Sequence, residues 1–307
     1  MREYVSLGVD STRWSRFELR DGDVIISTPS KCGTTWMQTL VAMLLLDRVD
    51  LGEPISVLSP WLDAKVVAED EVFARLDAQN HRRFIKTHTP LDGIPRPEGV
   101  TVITVVRHPL DVALSDRDHG DNADPERART LITASGNEPP EPSPAEQQAD
   151  ERPTGDREYL RWWIDREKAF LGTGPHGLLD LCHQAGLSWE ARHEPNVALF
   201  HYGDLWSNLE GEVRLLADVL DVSATEQRLG EIVEATTIDS MRGRAEMAAP
   251  WAELGVWRDP AAFFRVGGTR PWAEILTAGD LDHFHVRLAE LAGDAADWIL
   301  AGRAALD

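Results

Sequence analysis

Short β-branched runs alternate with longer helix-periodic stretches along most of this chain, and that alternation restricts its fold more than any other feature. Residues 23–28, 83–87, 100–106 and 197–202 read as strands. Residues 33–46, 109–115, 156–171, 177–185, 206–220, 225–236 and 281–300 read as helices, with Leu209, Val213, Leu216 and Leu220 recurring at helical spacing. Pro109 suits a first helical position, where its missing N–H would have no intrahelical partner. Strands joined through helices pair in parallel, and their near-continuous apolar character requires cover on both faces. The fold class is therefore α/β, a parallel sheet flanked by helices on both faces.

The 307 residues are 42% hydrophobic and 27% charged, which suits a globular chain and excludes collagenous, disulfide-scaffold and wholly disordered classes. We expect a single domain over 1–307. Residues 116–156 carry 11 acidic and 4 basic residues with five prolines in their second half, and are expected to form a polar, mobile loop. With 31 Lys and Arg against 52 Asp and Glu, the net charge of −21 opposes nucleic acid as a partner. No apolar run approaches the roughly 20 residues that span a bilayer, and the N-terminus has no secretory pattern, so a cytoplasmic location is expected. Cys32 and Cys182 are the only cysteines, too few for a disulfide framework or a cysteine-rich metal site.

In open α/β sheets, ligands bind beyond the carboxyl ends of the strands. After the first strand stands Ser27-Thr-Pro-Ser-Lys-Cys-Gly-Thr-Thr-Trp36, a small-residue loop running into a helix, whose amides with Lys31 offer an anion site. It is not a Walker A loop, because Thr28 and Thr34 stand where that pattern needs Gly and Lys, nor a cysteine phosphatase loop, because Gln38 stands at the arginine position. After the second strand come Lys86 and His88; after the third, Arg107, with Ser115 two helical turns on. Trp61, Trp162, Trp163 and Trp257 are candidates for an acceptor wall, although any single tryptophan is more often core. His283 and His285, two apart on a helix, point to different faces and do not form a metal pair.

Taken together these segments resemble the cytosolic sulfotransferase family. Its Tyr-Pro-Lys-Ser-Gly-Thr-Thr-Trp is similar to Pro29-Ser-Lys31-Cys32-Gly33-Thr34-Thr35-Trp36, its Lys-Thr-His to Lys86-Thr87-His88, and its Arg-Asn-Pro-Lys-Asp-Val-Ala-Val-Ser to Arg107 through Ser115. Looser similarities follow around Tyr202, across Thr237, Ile238 and Met241, and in Arg265-Val266-Gly267, where Val266 replaces a lysine. The resemblance implies a P-loop-like sheet and transfer of a sulfuryl group from 3′-phosphoadenosine-5′-phosphosulfate (PAPS, leaving PAP) to a hydroxyl or amine of a small-molecule acceptor, without a metal. It makes His88 the general base, Lys31 and Lys86 the charge stabilisers, and Arg107, Ser115 and Arg265 the 3′-phosphate contacts. Cys32, Gly33, Thr34, Thr35, Trp36, Tyr202, Thr237, Ile238, Met241, Val266 and Gly267 complete the donor site, with Val266 implying weaker donor binding than the family's lysine. Two other readings stay open: a P-loop-type small-molecule kinase, whose Walker lysine is out of register, and a non-catalytic nucleotide-binding protein. The acceptor and the oligomeric state are open too, since the family's dimer motif is retained only at Thr277 and, approximately, at Asp282.

Overall fold

The computed structural model describes residues 1–6, 8–137, 152–167, 177–264 and 272–306. Four strands, β1 (Val24–Ser27), β2 (Phe84–Thr87), β3 (Thr101–Val106) and β4 (Val197–His201), form one parallel sheet among the described residues. Their order is β2-β1-β3-β4. The chain thus leaves β1 for one side of the sheet, then crosses to the other side for β3. At such a reversal the connections after the two central strands diverge and open a crevice.

Alternate residues face opposite sides of a strand, and the core follows that rule. Val24, Ile26, Phe84, Ile103 and Val105 pack against Met37, Leu40 and Val41 of helix α1 (Thr34–Leu45), with Val213 and Leu216 behind them. Ile25, Ile85 and Val102 pack on the other face against Trp14 and Leu76. A third cluster joins Val106 and Leu199 to Leu110, Tyr159, Trp163, Leu181 and Phe284. Each such large side chain, once buried, contributes about 1.5–3 kcal/mol. Trp163 is therefore core, with Trp162 partly buried beside it.

Several predicted boundaries move. Helix α2 (Pro109–Asn122) continues seven residues beyond its predicted end, and helix α3 (Pro125–Ala134) forms inside the segment expected to be a loop. Burial decides the first: Asp116 is buried and accepts a hydrogen bond from the Tyr159 hydroxyl at 3.3 Å. Capping decides the second, because the Asp124 carboxylate accepts from the Arg127 amide at 3.0 Å and Pro125 occupies the first turn. Residues 138–151 lie outside the described residues. The helix expected over 206–220 is two, Tyr202–Ser207 and Leu209–Val219, split where Asn208 accepts from the Gly211 amide. At the C-terminal side, Thr277 and Asp280 form a capping box that opens helix α4 (Ala278–Ala292), a local reason for a threonine there. Among the described residues no helix is long and apolar enough to cross a membrane.

Buried charge pins the sheet's register. Arg83, just before β2, donates from Nε to Asp23 Oδ1 at 2.8 Å and from Nη2 to Asp23 Oδ2, and both side chains are buried. Removing one partner of a buried pair strands the other. Asp23→Ala should lower the unfolding free energy by about 3–5 kcal/mol in urea titration, whereas Glu226→Ala, opening an exposed pair with Arg214, should leave the midpoint almost unmoved. Equal effects would refute this ordering.

Candidate active site

The loop after β1 owes its shape to two left-handed residues, Lys31 at φ +65° and Gly33 at φ +99°. At Gly33 the requirement is double, since a Cβ there would lie 2.9 Å from Cδ2 of Tyr202. The hydroxyls of Thr28 and Thr34 hydrogen-bond across the loop. Gly33 is the N-cap of α1 and offers no side-chain cap, so the first amides of the helix are left to a ligand. Thr34, Thr35 and Trp36 border one continuous cavity with Lys31, Lys86, His88, Arg107, Ser115 and Tyr202.

Lys31 donates from Nζ to Nδ1 of His119 at 2.7 Å and lies 4.9 Å from the centre of the Phe263 ring. Burial pushes its ammonium down to about 8, with Asp116 acting in the opposite sense and Arg107 adding to the fall. Lys86 is 4.3 Å from the Trp61 ring centre and 5.7 Å from that of Trp251; the two indoles are stacked at 5.1 Å. Burial, reinforced by the charge of Lys31 and opposed by Asp63, takes Lys86 down to about 7.

His88 is buried, and its Nδ1 lies 2.7 Å from the Thr28 carbonyl. A carbonyl only accepts, so Nδ1 carries the hydrogen and Nε2 is the lone-pair nitrogen of the neutral ring. Burial and the charge of Lys86 hold His88 well below the usual 6.5, against the opposing effect of the Thr28 carbonyl. The imidazole meets Trp61 edge-on with ring centres 4.6 Å apart. Arg107 places its guanidinium 4.1 Å from the centre of the Tyr202 ring, which also touches Trp36 edge-on. Such a chamber can bind a polyanion through cations and helix amides, and its neutral imidazole can accept a proton.

Most of the predicted site residues converge. Ile238 and Met241 border the cavity too, as do Trp61 and Trp257 of the four candidate tryptophans. Two predicted residues do not border it. Cys32 points into the core beside Val106 and Leu110, because an alternate position in a tight loop faces away from its neighbours' side. Thr237 is spent as the N-cap of Ile238–Gly243, accepting from the Ser240 amide, while Thr236 takes the wall position. Arg265, Val266 and Gly267 lie outside the described residues. Sequence reading missed Trp251, His119 and Asn122; the last two follow Ser115 by four and seven residues, so a longer α2 would have placed them on the same face.

A parallel α/β sheet with a small-residue loop leading into a helix, and a cavity bordered by Lys31, Lys86 and Arg107 at its switch point, suits a transferase of anionic groups. The family model described as Sulfotransferase domain matches residues 21–295, and the chain belongs to that family. It is 41% identical over 314 residues to a glycolipid sulfotransferase of Mycobacterium bovis (strain BCG / Pasteur 1173P2), covering 99% of this chain and 95% of that protein. In fold it is similar to a retinol dehydratase solved in a complex with retinol and PAP, with a TM-score of 0.69, 18% identity, and coverage of 92% and 85% of the two chains. It is likewise similar to the mouse sulfotransferase SULT7A1 complexed with PAP, with a TM-score of 0.64, 15% identity, and coverage of 94% and 90%. The protein is a sulfotransferase, which sets aside the kinase and the non-catalytic readings.

Cys32 sits in the signature loop yet burial pushes its thiol up to about 12, as it does that of Cys182. Iodoacetamide at pH 8 should leave both unmodified in the folded protein and label both in urea, as read by intact mass. Rapid labelling of Cys32 in the folded protein would contradict its burial.

Proposed function

We propose that the whole chain acts as one PAPS-dependent sulfotransferase domain, with His88 as general base toward a hydroxyl of a glycolipid-type acceptor. The observation that carries this reading is the His88 Nδ1 bond to the Thr28 carbonyl, which leaves the Nε2 lone pair available in a cavity that also holds two lysines. The donor supplies an activated sulfuryl group. As the acceptor oxygen bonds to sulfur, the bond from sulfur to the donor's phosphate oxygen breaks, and the acceptor's proton passes to His88 Nε2. The products are a sulfate ester and PAP.

The family resemblance, together with charge complementarity, supports the remaining assignments. Lys31 and the first amides of α1 serve the departing phosphate, where negative charge grows. Lys86 serves the sulfuryl oxygens. Arg107 and Ser115, together with Arg265, serve the 3′-phosphate, which suits a guanidinium. Trp36, Tyr202, Ile238 and Met241 border the space for adenosine. The acceptor assignment draws on the mycobacterial relative, similar over nearly its whole length. It draws also on Trp61 and Trp251, whose stacked indoles give one wall of the cavity an apolar aromatic surface.

Replacing His88 by Asn should lower kcat for sulfate transfer from labelled donor by about 10²–10⁴-fold while PAP affinity by calorimetry changes little. Unchanged turnover would sink the base assignment. A second outcome concerns protons. With Lys86 at about 7 and Lys31 at about 8, a solution at pH 8 leaves much of the pair neutral. A bound polyanion favours both ammonium forms, so PAP binding at pH 8 should take up protons, and affinity should fall as pH rises from 7 toward 9. Calorimetry in two buffers of different ionisation enthalpy measures the uptake; zero uptake or release would refute it.

A further inference from the structure

We propose that Asp63 is a positioning residue, whose carboxylate clamps Thr87 and Thr89 so that His88, between them, keeps its Nδ1 on the Thr28 carbonyl. This rests on His88 being the proton acceptor. Asp63 is fully buried, behind the strand end rather than in the cavity. Its Oδ2 accepts from the Thr87 hydroxyl at 2.7 Å, the Thr89 hydroxyl at 2.6 Å and the Trp14 indole at 2.9 Å. Successive side chains of an extended segment alternate in direction, so gripping residues 87 and 89 from one side presents Lys86 and His88 to the other.

The clamp closes on the backbone as well. The Thr89 amide donates to the Thr87 hydroxyl oxygen at 2.9 Å, and the Ser27 hydroxyl donates to the Thr89 carbonyl at 2.7 Å. Peptide 87–89 is thereby tied to β1, on which the His88 partner Thr28 follows directly. Asp63 itself is held firmly. Its carbonyl accepts from the Asp10 amide at 2.8 Å, while the buried Arg13 guanidinium donates to the carbonyls of Leu62 at 3.3 Å and Ala64 at 2.8 Å on either side. The preceding residues run alongside β2, with the Lys86 amide on the Pro60 carbonyl at 3.0 Å.

A carboxylate is an unusual choice for this place. Burial pushes the Asp63 carboxyl upward, and the Thr89, Thr87, Trp14 and Trp61 donors pull it back. Its Oδ1 has no hydrogen bond of ordinary geometry, nor has the nearby Trp61 indole N–H. A fold needing only a filled space would do better with an apolar residue, since a buried acceptor without a partner is a net cost. What the acid provides is one oxygen able to receive three donors at once, two of them flanking His88 in sequence.

The test compares Asp63→Ala, Asp63→Asn and the double variant Thr87→Val/Thr89→Val, with long-range ¹H–¹⁵N NMR of the histidine rings. Wild-type His88 should show a single tautomer with hydrogen on Nδ1. In Asp63→Ala and in the double variant it should show mixed tautomers, with kcat reduced roughly 10–100-fold and PAP affinity within about twofold. Asp63→Asn, whose amide oxygen still accepts, should restore the single tautomer and most of kcat. Should Asp63→Ala fail to fold, the double variant, which leaves Asp63 and its Trp14 bond in place, carries the same comparison. A single Nδ1–H tautomer and unchanged kcat in the double variant would overturn the proposal, as would parallel losses of kcat, PAP affinity and Tm, which mark a merely structural role. The tautomer is read without turnover, so full activity in His88→Asn would sink the base assignment separately.

Discussion

Lys31, Lys86 and Arg107 come from the ends of three different strands and border one cavity, in which Arg107 opposes the charge of Lys31 and Lys31 that of Lys86. Taking an ammonium out of water and setting it beside a second cation is unfavourable, which is why the lysines fall to about 8 and about 7 from the usual 10.5. A difference of that size corresponds to several kcal/mol for Lys86 alone, in order of magnitude. Only a rigid frame can impose it. The buried strands, the Arg83–Asp23 pair and the left-handed Gly33 supply that frame. Lysines lowered this far lie close to the pH at which they change charge, so small changes in their surroundings shift their protonation.

How far the sequence discloses this arrangement differs from element to element. The strands were legible to within a residue or two because Val24-Ile-Ile and Val102-Ile-Thr-Val-Val106 can be buried on both faces only in a parallel sheet. The anion loop was legible because its conformation admits few residues: glycine at a left-handed position pressed against Tyr202 leaves no alternative. The helices over 116–134 were not. Composition there is acidic and poor in large apolar groups, and it argues for disorder when averaged over forty residues. The local chemistry argues otherwise, through a buried Asp116, the Asp124-Pro125 start signal, and Asn122 bonded in both directions to the backbone of Asp259. Averaging concealed particular bonds.

Tryptophan shows a different limit. Trp61 and Trp163 are both large and both sit among apolar neighbours in the sequence, yet one borders the cavity and the other is sealed in the core. Nothing in their spacing separates them, because the distinction depends on whether a facing element is present. Trp163 is clustered with Leu110, Leu181 and Phe284 of neighbouring helices, whereas Trp61 meets Trp251 and a lysine. Asp63 illustrates the same point for polar residues. In the sequence it is one acid among 52, and only its three converging donors distinguish it.

The overall charge of −21 and the cationic cavity are compatible because they act over different distances. At physiological ionic strength an exposed charge is screened beyond about 8 Å, so the acidic exterior chiefly slows the approach of an anion. Inside the cavity, screening by salt is weak and the nearest charges dominate. The acids that act on Lys31 are Asp116 and Asp118 of α2, and both favour its ammonium form. Acidic residues thus work for anion binding at short range: they help keep a buried lysine protonated in a place where burial alone would strip its proton. A less acidic α2 would lower repulsion from the approaching anion, but it would also leave Lys31 with less charge to offer.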